Sequence, residues 1–205
     1  MFISFEGGES TGKTTLANFL VKKLSINYQV IFTKEPGDGI FNSKIKNILF
    51  DFSNEIDIIT ESLLYAADRN EHLTKVIIPA LNDKKIVVCD RYLDSSIVYQ
   101  GFVGGAEEEW LKKINYKASI NLPDITFYLD LDPKIALERL YRNRKDKIEY
   151  FDLKDLKFHN KIRQGYLNLC KKYPKRIYKI DVNSNLLNIQ NIIQKKIEKL
   201  LKSKL

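Results

Sequence analysis

The sequence predicts an α/β fold, a three-layer α/β/α sandwich with a central five-stranded parallel sheet. Three observations carry that prediction. Five short apolar runs, rich in β-branched and aromatic residues, recur along the 205 residues. Segments with helical spacing separate them. The connections are long enough for the crossover helices that parallel strands need.

Residues 1–6 (MFISFE) open the chain as a buried strand. Leu16, Phe19, Leu20 and Leu24 then recur at helical spacing across residues 14–24. Residues 29–33 form a second strand, closed by the turn signal Glu35-Pro36-Gly37-Asp38-Gly39. A helical region follows over residues 58–81, with a kink or stop expected at Pro79. Residues 86–89 (IVVC) make a continuous β-branched run ending in Asp90, the pattern of a strand buried on both faces. Residues 125–131 are the fourth strand, and Pro133 is well placed to open the next helix. Residues 177–182 are the last strand, with a terminal helix from about Asn185. No repeat, linker or break in composition divides the chain, so residues 1–205 read as a single domain.

Composition narrows the function. At 44% hydrophobic and 29% charged residues the chain matches globular averages, which excludes general disorder. The net charge of +8 fits nucleic-acid binding, an anionic small substrate or a solvated surface. Lysines gathered in amphipathic stretches such as residues 195–204 favour the solvated surface. No apolar run approaches the roughly 20 residues that cross a bilayer. The opening MFISFEGG lacks the basic and apolar regions of a signal peptide, so a cytoplasmic protein without a membrane partner is expected. Cys89 and Cys170 stand apart from other cysteines and histidines, which suggests reduced buried thiols and no zinc.

Residues 7–14, Gly7-Gly8-Glu9-Ser10-Thr11-Gly12-Lys13-Thr14, fit G-x-x-x-x-G-K-[ST]. Glycines let the backbone turn its N–H groups onto phosphate oxygens, and the helix that follows adds its positive end. Lys13 can reach β- and γ-phosphates, and the Thr14 hydroxyl can ligate Mg²⁺. A random chain of this length matches roughly once in a hundred, and this match also sits between a predicted strand and helix.

A switch GTPase would use the same loop, but no Asn-Lys-x-Asp motif accompanies it here. Instead Asp90-Arg91-Tyr92 ends the IVVC strand, where ligands of parallel sheets bind. An acid there can position Mg²⁺, and an arginine can grip a phosphoryl group with two N–H bonds. Tyr92, Ser96 and Tyr99 are expected to share one helical face, as are Tyr65 and Arg69 upstream. An aromatic ring with an arginine suits a nucleobase, although aromatics at this spacing also build ordinary cores.

FEGGESTGKTT, TKEPGDG, LLYAADRNEH, DRYLDSSIVYQG and FHNKIRQGYL together resemble the thymidylate kinase family, in order and at similar intervals. The likeness runs from about residue 2 to residue 181. It implies a P-loop kinase that moves the γ-phosphoryl group of MgATP to dTMP, giving dTDP and ADP, with no nucleic acid as partner. It implies that residues 7–15, Thr15 included, and Arg139 hold ATP, with Thr14, Asp90 and Glu9 around the metal. Tyr65 would stack on thymine and Arg69 would bond its edge. Arg91 would grip the dTMP phosphate, and Tyr99 would pack beneath the sugar against any 2′-hydroxyl. Glu35, Pro36, Asp90, Ser95, Ser96 and Gln100 would complete the acceptor site, the Glu35-Pro36 turn through a cis peptide.

The basic segment RLYRNRKDK matches the family's lid, about residues 139–150. The phosphate loop carries Ser10 where some members have arginine, so Arg142 or Arg144 would join Lys13, Glu9 and Arg91 as catalytic groups. Lys34, Asp38-Gly39 and Lys147 depart from the family pattern. His72 and His159 read as structural. The resemblance implies a homodimer, and the apolar helix over residues 58–81 could bury one face against its mate. A nucleoside kinase of the same fold and a basic nucleic-acid-binding or ATP-switch protein are the rival readings.

Overall fold

The computed structural model describes residues 1–37, 42–52, 55–143, 151 and 154–202, with the backbone alone at 42, 43 and 143. Asp38, Gly39, Arg144, Asp146 and Lys147 therefore lie outside the described residues, as does most of the expected lid. The strands are β1 (Phe2–Glu6), β2 (Val30–Lys34), β3 (Ile86–Asp90), β4 (Ile125–Asp130) and β5 (Ile177–Asp181). They form one five-stranded parallel sheet, as the sequence predicts, and its strand order is β2-β3-β1-β4-β5. The helices are α1 (Lys13–Leu24), α2 (Asn42–Asp51), α3 (Ile58–His72), α4 (Ile78–Asn82) and α5 (Leu93–Ser96). After these come α6 (Glu108–Ile114), α7 (Tyr116–Ser119), α8 (Pro133–Asn143), α9 (Leu156–Lys172) and α10 (Leu186–Lys202). No helix of the described residues is long and apolar enough to cross a membrane.

Alternation along the strands builds two cores. Ile3, Phe5, Val88 and Phe127 point to one face, where Leu16 and Leu20 of α1 meet Ile189, Ile193 and Ile197 of α10. Phe2, Val87, Cys89 and Tyr128 point to the other, packed by Leu73, Ile77, Val98, Ile162 and Tyr166. Burying each such side chain stabilises the fold by about 1.5–3 kcal/mol. The three central strands are buried throughout, whereas β2 and β5 at the edges expose part of their length. Cys89 is buried as expected, but Cys170 is only partly so.

Two expectations need correction. The helix over residues 58–81 is neither continuous nor first disturbed at Pro79. It widens to a π-helical segment at Leu73–Ile77, and Pro79 sits in the first turn of α4 beyond it. The Ile78 N–H reaches Leu73 O, five residues back, so the chain is already off the regular ladder where the proline ring would clash. Tyr92 does not share a face with Ser96 and Tyr99. It precedes α5 in extended conformation, and its fully buried ring meets Phe2 edge-on at 4.9 Å. Its hydroxyl donates to Asn121 O. Helical periodicity begins only at Leu93, one residue too late for Tyr92.

From α5 the chain passes into a second π-helical segment, Ile97–Val103, which α9 covers at close range. Gly165 makes that approach possible. A Cβ there would lie 2.9 Å from Val98 Cγ1 and 3.1 Å from the Phe102 ring. Gly165→Ala is expected to destabilise the protein by about 1–3 kcal/mol through overpacking, measured by urea unfolding. An unchanged midpoint would mean that the helix and the segment beneath it shift apart freely.

Candidate active site

The loop between β1 and α1 takes its shape from backbone that other residues rarely adopt. Gly7 has φ 149° and Gly12 φ 87°, while Ser10 also lies in the left-handed region at 53°. A Cβ on Gly7 would come within 2.8 Å of Leu129 O. Gly12 caps α1 without a side-chain bond, and the first turn carries no acid. Its N–H groups are thus left to an anionic ligand. Lys13 folds over the loop and donates to Gly7 O (3.1 Å) and Gly8 O (2.7 Å). Burial, and then the Arg91 charge, lower its ammonium to about 8. Thr14 donates to Asp90 Oδ2 at 2.5 Å, bringing a hydroxyl and a carboxylate together.

β1 and β3 are neighbours in the sheet, so the loop and Asp90-Arg91 leave it side by side. Arg91 bends away with φ 71°. Its Nη2 donates to Glu9 Oε1 (2.5 Å), and its Nη1 to Gly7 O (3.2 Å) and Ser95 Oγ (3.3 Å). The guanidinium carbon lies 5.1 Å from the Tyr99 ring centroid, and the Tyr99 hydroxyl also donates to Glu9 Oε1 at 3.0 Å. Behind this group Glu6 is fully buried. It accepts from Tyr92 N (2.7 Å), Ser95 Oγ (2.6 Å) and Tyr166 Oη (2.8 Å). Burial, with Asp94 close by, raises its carboxyl to about 7.

α3 supplies Tyr65 and Arg69 to the same space. Arg69 is buried, with Nε donating to Glu35 Oε2 at 2.7 Å and Nη1 to Ser96 Oγ and Asn115 Oδ1. The Glu35-Pro36 peptide is cis, as the resemblance implies. Gln100 donates to Glu61 Oε1 at 2.7 Å, and burial raises the Glu61 carboxyl above the ordinary carboxylate range. Glu35, His72 and Cys89 bring potential metal ligands within 4.8 Å of one another. Both Glu35 oxygens already serve Arg69 and His72, so this cluster holds the arginine in place.

One cavity of about 470 Å³ joins these groups. Its wall includes Glu9, Ser10, Gly12, Lys13, Thr14 and Thr15 on one side and Tyr65, Arg69, Ser95, Ser96, Tyr99 and Gln100 on the other. Glu35, Pro36, Asp90 and Arg91 lie on the same wall. Gly7, Gly8 and Thr11 do not; Thr11 instead braces the loop by donating to Gly8 O. Arg139 donates to Val182 O at 3.3 Å, away from the cavity, and Arg142 is exposed on the last turn of α8. Lys46, Phe50 and Phe151 also line the cavity, unforeseen from the sequence. The four-residue spacing of Lys46 and Phe50 was a legible signal of a shared helical face.

The family model for thymidylate kinase matches residues 5–193. The chain belongs to the thymidylate kinase family. It is 53% identical over 207 residues to the thymidylate kinase of Onion yellows phytoplasma, covering all of both chains. With that of Acholeplasma laidlawii the identity is 44% over 203 residues, 98% of this chain and 100% of the relative. The crystal structure of Ehrlichia chaffeensis thymidylate kinase superposes with a TM-score of 0.78 at 33% identity, covering 97% of this chain and 98% of that one. Its activity is accordingly phosphoryl transfer to dTMP, with ATP as the phosphate donor.

Glu6 leaves a pH signature. Its carboxyl ionises near 4.5 in the unfolded chain and near 7 when folded. Between those values the native state binds the extra proton, so its contribution to stability falls as pH rises and is constant above about 7. The variant Glu6→Gln keeps an acceptor but cannot ionise. Its melting temperature relative to the parent is expected to be higher at pH 8 than at pH 5. A difference that does not change over that window would show that Glu6 is ionised throughout.

Proposed function

We propose that the cavity takes ATP and dTMP end to end and passes the γ-phosphoryl group in line between them. The observation that carries this reading is the continuity of one cavity from Lys13 and Thr14 to Tyr65 and Arg69, with Arg91 between. The γ-phosphorus gains a bond to a 5′-phosphate oxygen of dTMP and loses its bond to the β,γ-bridging oxygen, so dTDP and ADP leave. That acceptor oxygen is already anionic and needs no general base. The protein's task is positioning and charge neutralisation.

Lys13 exchanges the Gly7 and Gly8 carbonyls for the β- and γ-phosphates. Gly7, Gly8 and Thr11 shape the loop, while the backbone from Glu9 to Thr15 receives the phosphates. Thr14 and Asp90 present adjacent hard oxygen donors of the kind Mg²⁺ prefers, and would hold it. Mg²⁺, when bound, spreads the charge of the β- and γ-oxygens. Glu9 stands farther from this role, because Arg91 and Tyr99 share one of its oxygens. Arg91 grips the dTMP phosphate, Tyr65 stacks on the base, and Tyr99 lies under the sugar. Ser10 brings no charge to the loop, so Arg142 or Arg144 supplies the transition-state cation when the lid closes. Arg139, which donates to Val182 O, would meet the adenine end of ATP where it extends beyond the cavity. Exposed Ile59 and Leu63 on α3 support a homodimer formed through that helix. The partners are these small molecules, in the cytoplasm, and not nucleic acid or a membrane.

Turnover of dTMP, dUMP, dCMP, dGMP and thymidine with ATP tests the reading. Fastest turnover of dTMP is expected, and turnover of thymidine without dTMP would overturn it. Lys13→Ala is expected to stay folded and lose about 100-fold or more of kcat. Nucleotide phosphates should also raise the Lys13 ammonium back toward its ordinary range. Binding of a non-hydrolysable ATP analogue at pH 8.5 should therefore take up a proton, and at pH 6.5 Lys13 should take up none. Calorimetry in buffers of different ionisation enthalpy measures this, with Lys13→Ala as the blank.

A further inference from the structure

The polar floor of the cavity continues inward, past the wall, to His72 and Asn115, which do not line it. Arg69 has five N–H groups to place. Nε donates to Glu35 Oε2 at 2.7 Å, and Nη1 donates to Ser96 Oγ at 3.0 Å and Asn115 Oδ1 at 2.8 Å. Nη2 gives one hydrogen to Tyr92 O at 3.4 Å. Among the described residues its other hydrogen has no acceptor, and Arg69 lines the cavity. One Nη2 hydrogen is therefore the guanidinium's unplaced donor, on a residue that lines the cavity.

Glu35 can hold Arg69 in that attitude only if it is held itself. Its Oε1 lies 3.0 Å from His72 Nδ1, and a carboxylate only accepts, so Nδ1 carries the hydrogen. His72 Nε2 lies 2.5 Å from Thr33 Oγ1 on β2, which fixes the ring plane. His72 is fully buried and is not part of the cavity wall. Asn115 is buried on the opposite side. It ends α6, its Nδ2 donating to Leu111 O at 2.9 Å and leaving Oδ1 aimed at Arg69. Two anchors on different elements thus hold one guanidinium from both ends.

We propose that His72 and Asn115 are positioning residues that set base selectivity by fixing Arg69, so that its spare N–H meets a base carrying a carbonyl acceptor. The inference rests on Arg69 reading the base, as set out above. A cytosine presents an amino donor at the position where thymine presents a carbonyl, and two donors facing each other leave both unpaired. His72 acts through Glu35, and Asn115 acts directly on Nη1.

Steady-state kinetics of the full chain with dTMP, dCMP and ATP test this in His72→Leu, His72→Asn and Asn115→Ala, with melting temperatures recorded alongside. His72→Leu is expected to raise KM for dTMP about tenfold and to narrow the dTMP-to-dCMP ratio of kcat/KM. Its kcat should stay within about threefold, with KM for ATP unchanged. His72→Asn restores an N–H toward Glu35 and should recover most of the loss. Asn115→Ala should move KM and selectivity in the same direction as His72→Leu, which keeps the test open if that variant does not fold. Unchanged selectivity in Asn115→Ala, or a His72→Asn no better than His72→Leu, would overturn the proposal. Arg69→Gln separates the two levels. If it leaves KM for dTMP and selectivity untouched, the base-reading role itself fails. If it impairs both while His72 and Asn115 variants do not, only the present inference fails.

Discussion

Arg91 leaves β3 in the left-handed region and places its guanidinium between the phosphate loop and the segment that carries Ser95 and Tyr99. Its bond to Glu9 ties the loop to that segment, and the Tyr99 hydroxyl closes the group on the same carboxylate oxygen. Removing this cation would leave the largely buried Glu9 carboxylate without its ion-pair partner, and breaking such a pair costs several kcal/mol. A charge that a phosphate ligand can use therefore also holds the two halves of the site in register before any ligand arrives.

The surrounding polar groups are arranged in successive layers. Glu6 supports Ser95 and the Tyr92 backbone from behind, and Tyr166 of α9 completes its coordination. Asp94, which raises the Glu6 carboxyl, is itself bound by both terminal nitrogens of Arg176 at 2.6 and 2.8 Å. Glu35 plays the matching part beneath the Tyr65 and Arg69 side of the cavity, shared between Arg69 and His72. In both places a buried carboxylate fixes a donor-rich group, and rigidity comes from satisfying every strong acceptor in a medium that penalises unsatisfied ones. Close packing supports this, since Gly165 lets α9 press directly on the segment bearing Tyr99.

Much of the site was legible because its signals are local. The loop motif needs only consecutive residues, and Tyr65 with Arg69 needs only the helical repeat. Strands β1, β3 and β4 could be read because burial on both faces demands an unbroken apolar run. Tyr92 misled because its place depends on where α5 starts, and helix boundaries are weakly written in sequence. Lys46, Phe50 and Phe151 reach the cavity only through the packing of segments far apart in the chain.

The succession of strands and helices, the phosphate loop and the family are legible from the amino-acid sequence alone, since each rests on short-range pattern or motif identity. Only the tertiary structure decided which side chains complete the site. Tyr166 reaches Glu6 across 160 residues and Asn115 reaches Arg69 across 46. Such bonds form because the fold excludes water from a shared interior, where each polar group must find a partner in the protein. That requirement operates in space, between elements that nothing in their local sequence links.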